Sequence, residues 1–269
     1  MCPFFRICRL LGGSRRASLT TSLILGFATL CWAYAVRDYS EAVQLSLMLG
    51  TVYGLVKGSD RGDYLAGACF SGLVLVKAAS LVYLPIFLTY RFVRLGFRIR
   101  AMCRFAAPVL AAISVLAVLN FARFGGVLEF GYGTESRMFS LPGVPANLVA
   151  LLISPFFGLF VYSPALLLGV ALFPSFARSR PREAVFFVLL LAANLLLVAA
   201  WHDIVGGHSW GPRLLVPTLG LWLVPFATKL DHLRPGVRAL AGFWSPHLWP
   251  SCWVERSRPC TLTRCRGVR

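Results

Sequence analysis

Apolar runs recur at residues 19–36, 42–56, 64–76, 78–90, 105–121, 156–173, 184–201 and 214–228, and they limit the folds open to this chain. A helix needs roughly 20 apolar residues to cross about 30 Å of hydrocarbon, and the longest runs reach that scale. The runs at 64–76 and 78–90 are shorter and separated only by Lys77. They read as two short helices of a hairpin shielded by its neighbours. None of the runs alternates polar with apolar residues, as the strands of a membrane barrel would. Composition agrees: 58% of the 269 residues are hydrophobic and 14% are charged, against about 25% charged in a soluble domain. The expected fold is all-α, a polytopic transmembrane helical bundle of about eight apolar helices, some of them short.

A net charge of +17 would suggest a nucleic-acid partner in a soluble protein, so the placement of the basic residues matters. Arg6, Arg9, Arg15 and Arg16 precede the first run, Lys57 and Arg61 follow the second, and Arg91, Arg94, Arg98, Arg100 and Arg104 follow the fourth. Arg178, Arg180 and Arg182 follow the sixth. If each run is one pass, all these loops lie on one side, which the positive-inside rule makes cytoplasmic. The basicity is therefore topological. The arginines are spread over separate loops without a continuous basic face, which argues against nucleic acid.

The chain divides into a cytoplasmic N-terminal segment (1–18), a transmembrane region (19–228) and a cytoplasmic tail (229–269). The stretch 242–269, rich in tryptophan, cysteine and arginine without periodicity, reads as disordered or aberrant, as from a frameshift or a mis-called gene end. The N-terminus, MCPFFRICRLLGGSRR, is broken by arginines and is not a signal peptide. Of the eight cysteines, six fall in segments assigned to the cytoplasm, while Cys31 and Cys69 lie inside apolar runs. No disulfide framework is implied. CTLTRC at 260–265 lacks the second pair a zinc site would need.

Setting the cytoplasmic loops aside leaves Arg37, Lys77, Arg123, Arg137 and Arg213 at the other ends of the runs, with Asp38, Glu41, Glu129, Glu135 and Asp203. Ionisable groups near membrane depth are costly and line cavities or pair, so this balanced cluster is the default functional site. Solvated loop positions are the alternative for several of them, Glu135 and Arg137 above all. Four segments contribute: VRDYSE at 36–41, the hairpin tip at Lys77, the long loop 120–145, and WHDIVGGHSWGPR at 201–213. Within the long loop, FGYGTE superficially resembles a potassium-channel filter. The preceding residues do not form the pore helix such a filter needs, and Gly131 and Gly133 are better suited to a tight turn beside a ligand, with Tyr132 between them.

Several stretches resemble the GT-C superfamily of polytopic glycosyltransferases, which take a sugar from a polyprenyl-phosphate carrier. The resemblance is to bacterial members of the mannosyltransferase and aminoarabinose-transferase type. The matching pieces are TLCWAYAVRDYSEAVQLSLMLGTVYGL (29–55), LAGACFSGLVLVKAASLVYLPIFLTY (65–90), NFARFGGVLEFGYG (120–133), SPFFGLFVYSPALLLG (154–169) and GGHSWGPRLLVP (206–217). They stand in the family's order, and FGLFVYSP and GGHSWGPR are the most specific. The resemblance implies a bacterial inner-membrane enzyme with a cytoplasmic N-terminus, using a polyprenyl-phosphate-linked sugar with membrane lipid around it. Family members also carry a first helix and a large outer loop with an acidic residue, which would precede Met1, and further helices after 228. The chain is accordingly expected to be a truncated member that binds the carrier without turning it over.

Displacing a polyprenyl phosphate from an anomeric carbon requires a base for the acceptor hydroxyl and cations for the departing phosphate. The resemblance places Lys77 and Arg213 near that phosphate. Arginine grips two oxygens at once and lysine supplies a point charge. An ion pair of Arg213 with Asp203 or Glu41, or an interfacial anchor, are its other readings. Glu41 opens a helix, where a carboxylate is favoured by the dipole. It is the candidate base, with Asp38 second, although capping alone would explain it. Asp203, His208 and Trp210 are candidates for hydrogen bonding or stacking to sugar or carrier. His202, Asp203 and His208 match no standard metal spacing, and no cofactor is expected. Gly206 and Gly207 permit a sharp turn, and Pro212 suits the first turn of a helix over 214–228, which would put Arg213 at a helix N-terminus. Tyr162 either lines the carrier groove or packs. A transporter or lipid flippase, which would also use broken helices in a charged bundle, is the rival from another class, although no internal repeat relates 19–121 to 156–228. A non-catalytic remnant is the third reading.

Overall fold

The structure, a computed structural model, describes residues 3–96, 98–131, 138–207 and 209–232. Within these residues the chain is helical, with no strand and one isolated bridge between Phe139 and Trp201. The helices are α1 (Pro3–Leu10), α2 (Arg15–Phe27), α3 (Cys31–Ala35), α4 (Glu41–Lys57), α5 (Asp60–Val76), α6 (Leu84–Leu95), α7 (Ile99–Phe124), α8 (Val144–Ile153), α9 (Leu159–Tyr162), α10 (Leu166–Ser179), α11 (Pro181–Ala200) and α12 (Leu219–Lys229). Two of them, α7 and α11, are long and apolar enough to cross a membrane. Their 26 and 20 residues correspond to about 39 and 30 Å of helix.

Helices α4 and α5 form an antiparallel hairpin around Gly58, whose left-handed φ of 64° ends α4. Ser59 caps α5 by accepting a hydrogen bond from the Gly62 amide. The two helices approach almost backbone to backbone. A Cβ at Gly50 would meet Cys69 Sγ at 2.7 Å, and one at Gly62 would meet the Gly54 carbonyl oxygen at 2.6 Å. Gly67 gives α5 the same intimacy with Phe105 and Pro108 of α7. Small residues spaced along a face let helices pack closely where lipid leaves no hydrophobic drive between them. Phe70, Phe87 and Phe105 fill the space beside this seam, with Phe70 stacked on Phe105 at 6.1 Å.

The expected short-helix hairpin forms as α5, a 3-10 segment over Ala78–Tyr83, and α6. Three other expectations are corrected. The run 19–36 is interrupted after Phe27 and resumes as α3. There the Thr29 hydroxyl bonds the Leu25 carbonyl at 2.6 Å, and the Leu30 amide donates to Ser163 Oγ at 3.0 Å. The run 156–173 is split by Ser163 and Pro164 into α9 and α10, because proline offers no amide to continue a helix. The run 214–228 starts as a 3-10 helix, Arg213–Thr218, and becomes α-helical only at Leu219, past Pro217.

The N-terminal segment is folded onto the bundle. In α1, Phe4, Ile7 and Cys8 recur at helical spacing, are fully buried, and pack against α4, α2 and α12. Arg6 lies over the Tyr53 ring of α4, 5.6 Å from its centroid. Of the expected tail, Lys229–His232 ends the described helices, and the rest lies outside the described residues.

Candidate functional site

Three sequence-distant elements meet at one end of the hairpin. Glu41 is the first residue of α4 and Lys77 is the residue after α5, so the antiparallel pairing brings both to the same end. The loop after α11 delivers Arg213 to them. Arg213 Nε lies 3.3 Å from Glu41 Oε1. Of the roles open to Arg213, the ion pair with Glu41 is therefore present. It is close without being aligned for a hydrogen bond, since Nε and Glu41 Oε2 are both buried without a hydrogen-bond partner. The Glu41 side chain is 5% exposed and that of Arg213 22%. A buried, under-satisfied carboxylate beside a half-satisfied guanidinium is an arrangement in which polar groups have unused bonding capacity.

Lys77 is held between these two charges. Its partial burial pushes its ammonium below the ordinary lysine range; the Glu41 carboxylate opposes that fall and the Arg213 guanidinium adds to it. Desolvation disfavours a charge and a nearby opposite charge favours it, so the direction shows that burial prevails.

Aromatic rings fix the guanidinium from the other side. Arg213 Cζ sits 4.6 Å from the centre of the Tyr39 ring, inside the range of a cation–π contact. Tyr39 meets Tyr34 edge to face at 5.7 Å, and the Tyr34 hydroxyl donates to the Trp210 carbonyl at 2.8 Å. Tyr34, Tyr39 and Trp210 line a cleft of about 330 Å³ together with Ala33, Arg37 and Ser209, beside the Glu41–Arg213 pair and without either of its members in the lining. Its mouth carries the Trp210 ring, 63% exposed.

The loop before Arg213 is shaped to leave room for it. Gly206 takes φ +77°, and a Cβ there would lie 3.0 Å from Arg213 Nε. Asp203 Oδ1 accepts a hydrogen bond from the Gly206 amide at 3.0 Å, so this carboxylate closes the turn. Gly211, at φ +70°, packs where a Cβ would meet Tyr162 Cγ at 3.0 Å. Tyr162 is thus a packing residue: its ring meets Trp210 edge to face and its hydroxyl donates to the Phe156 carbonyl at 2.7 Å. The expected α-helix N-terminus at Arg213 is absent; the 3-10 turn there is too short to build a helix dipole.

Behind the site, the Tyr83 hydroxyl donates to Asn194 Oδ1 at 2.9 Å, and Asn194 Nδ2 donates to Thr218 Oγ1 at 2.9 Å. This buried network ties the hairpin and α11 to the 3-10 helix that carries Arg213.

Of the candidates read from sequence, Glu41, Lys77 and Arg213 converge, Trp210 stands at the adjoining cleft, and Asp203 supports the turn. Asp38, Arg37, Arg123 and Glu129 are exposed. Tyr132, Glu135, Arg137 and His208 lie outside the described residues. No group of three or more His, Cys, Asp or Glu side chains able to hold a metal occurs among the described residues. Tyr39 and Tyr34 were not singled out in the sequence, although Tyr39 stands between two named candidates.

A second charge pair lies at the opposite end of the hairpin. Arg91 Nε and Nη2 each donate to an Asp63 carboxylate oxygen at 2.7 Å, with both side chains buried. Arg91 is therefore not the cytoplasmic loop residue expected from its place after an apolar run. Compared with family models, curated proteins and solved structures, the chain finds no match.

Proposed function

We propose that the chain spans a membrane several times and is of the polyprenyl-phosphate-dependent glycosyltransferase type, binding the carrier at the end of the bundle where Glu41, Lys77 and Arg213 meet, with turnover by this chain alone not expected. The observation that carries this reading is their convergence from three separate segments, with one Glu41 oxygen and Arg213 Nε left without hydrogen bonds beside an aromatic-walled cleft. The cleft itself is lined by Tyr34, Arg37, Tyr39, Ser209 and Trp210, and its size and mixed lining suit a small polar ligand.

In the proposed reaction the acceptor hydroxyl oxygen attacks the anomeric carbon and the bond from that carbon to the phosphate oxygen breaks. The phosphate leaves with the bonding electron pair, and the hydroxyl proton passes to a carboxylate, for which Glu41 is the candidate. Arg213 and Lys77 stabilise the charge growing on the phosphate, where fixed cations in a partly dry site act strongly. Positive-inside placement puts this end on the outer face and the N-terminus in the cytoplasm, the arrangement of a bacterial inner-membrane enzyme of this type.

A transporter or flippase is the second reading, favoured by the interruptions after Phe27 and at Ser163–Ala165. Reconstituted chain supplied with polyprenyl-phosphate sugars separates the two, since a transferase releases free carrier phosphate and a transporter moves the intact lipid. Replacing Arg213 with alanine should weaken carrier binding by about 1.5–3 kcal/mol, the scale of a hydrogen bond to a charged group. Arg213→Lys should restore part of it, lacking the two-pronged grip. Carrier affinity unchanged in Arg213→Ala would refute the assignment.

A further inference from the structure

The end of the bundle remote from Glu41 carries a second cleft, of about 440 Å³, lined by Asp60, Arg98, Ile99, Arg100, Ala101 and Arg104. It lies at the N-terminal turns of α5 and α7, helices that Gly67 brings into contact at Phe105 and Pro108.

Its charge is one-sided. Arg104 pairs with Asp60, which leaves Arg98 and Arg100 with no acidic partner among the described residues. Arg100 and Arg104 are four residues apart and so share a face of α7. The first turn of α7 holds no acidic residue, whereas that of α5 holds Asp60 and Asp63. The guanidinium groups therefore present donors and positive charge to one space.

The surroundings indicate the source of the anion. Helix α7 is one of the two helices able to cross a membrane, and along its length Leu110, Val115, Val118 and Phe121 are exposed. On the membrane-spanning reading proposed above, such a face would meet acyl chains and the cleft at its end would stand at the depth of lipid headgroups. Ile99, which lines the cleft beside the arginines, is exposed as well.

We propose that this cleft binds the phosphate headgroup of an anionic membrane phospholipid, with Arg98 and Arg100 as its ligands and Arg104 held in place by Asp60. Basic pockets between membrane helices on the cytoplasmic side recognise anionic headgroups in this manner. The site is remote from Glu41 and Arg213; the proposal rests on the membrane-spanning reading and not on sugar transfer.

The test titrates the full detergent-solubilised chain with short-chain phosphatidylglycerol, with phosphatidylcholine of equal chain length, and with inorganic phosphate, scoring bound lipid by native mass spectrometry. Phosphatidylglycerol should bind at least about ten-fold tighter than phosphatidylcholine and should weaken as salt rises. Arg98→Gln/Arg100→Gln should lose roughly thirty-fold in phosphatidylglycerol affinity, the effect of two basic residues near a lipid surface. Asp60→Asn should bind a few-fold tighter, since it frees Arg104 and removes the opposing carboxylate; this decides the matter should the double variant fail to fold. Equal affinity for the two lipids, or an unaltered affinity in Asp60→Asn, overturns the proposal. Displacement of phosphatidylglycerol by an equal concentration of inorganic phosphate would show a free-anion site and overturns the lipid assignment.

Discussion

Replacing Asp63 with alanine should be among the most destabilising single changes in this chain. Asp63 and Arg91 are joined by two hydrogen bonds of 2.7 Å, and their side chains are 1% and 4% exposed. Each charge-assisted bond is worth about 1.5–3 kcal/mol. Alanine removes both and leaves a guanidinium buried, with Nη1 already lacking a hydrogen-bond partner. The loss should be about 3–5 kcal/mol, the range for a buried pair broken on one side. Asp63→Leu/Arg91→Met, which removes both charges and fills similar volume, should recover most of that loss, because two desolvation costs vanish with the attraction. Reversible unfolding of the purified protein in mixed micelles, followed by helical circular dichroism, measures both variants against the unaltered chain. A loss below about 1 kcal/mol in Asp63→Ala would refute the reasoning, as would a double variant as unstable as the single.

Three further outcomes follow from other parts of the molecule. Because folding lowers the Lys77 pKa, the unfolded chain holds its proton to higher pH than the folded one. Stability should therefore rise with pH in the window from that lowered value to the ordinary lysine value, and Lys77→Met should flatten this rise; equal slopes in the two proteins would contradict it. Gly169→Ala should cost about 1–3 kcal/mol or more, since its Cβ would collide with the Trp222 carbonyl oxygen where α10 crosses α12, while Gly26→Ala, with open space around it, should be neutral or slightly stabilising in the same melts. Reporters fused after Arg100 and after Arg180 should label one side of the membrane and a reporter after Gly207 the other; labelling of Gly207 on the same side as both would remove the outer-face site.

Four of the apolar runs were legible as single helices, because periodicity is unnecessary for a helix surrounded by lipid and neighbours: α4, α5, α7 and α11 overlie them, whereas the long runs 19–36 and 156–173 are broken. Glu41, Lys77 and Arg213 were legible as rare charges between apolar stretches. Asp63 and Arg91 were not, since each stands one residue outside an apolar run, where a loop charge also stands, and their pairing across 28 residues is a tertiary fact. The break after Phe27 was hidden for the same reason. Its amide at Leu30 is satisfied by Ser163, 133 residues away. The packing of α1 was open to reading, from Phe4, Ile7 and Cys8 at helical spacing, but the arginines between them draw attention to charge. Tyr39 shows the limit for the site, as a cation–π contact leaves no spacing signature in either partner's sequence.

The glycine seam bears on how the molecule can move. Gly50 against Cys69, Gly54 against Gly62, and Gly67 against Phe105 leave α4, α5 and α7 separated by little more than the hydrogens on their backbones. Sliding one helix past another would drive a side chain into a gap sized for hydrogen, so the three behave as a single slab. Glu41 and Lys77 stand at one end of that slab. Arg213 is anchored differently, on a glycine-turned loop, by the Tyr39 ring and one offset ion pair, with the Tyr83–Asn194–Thr218 hydrogen bonds behind it. An incoming ligand would therefore meet one wall built on close-packed helices and one built on a loop.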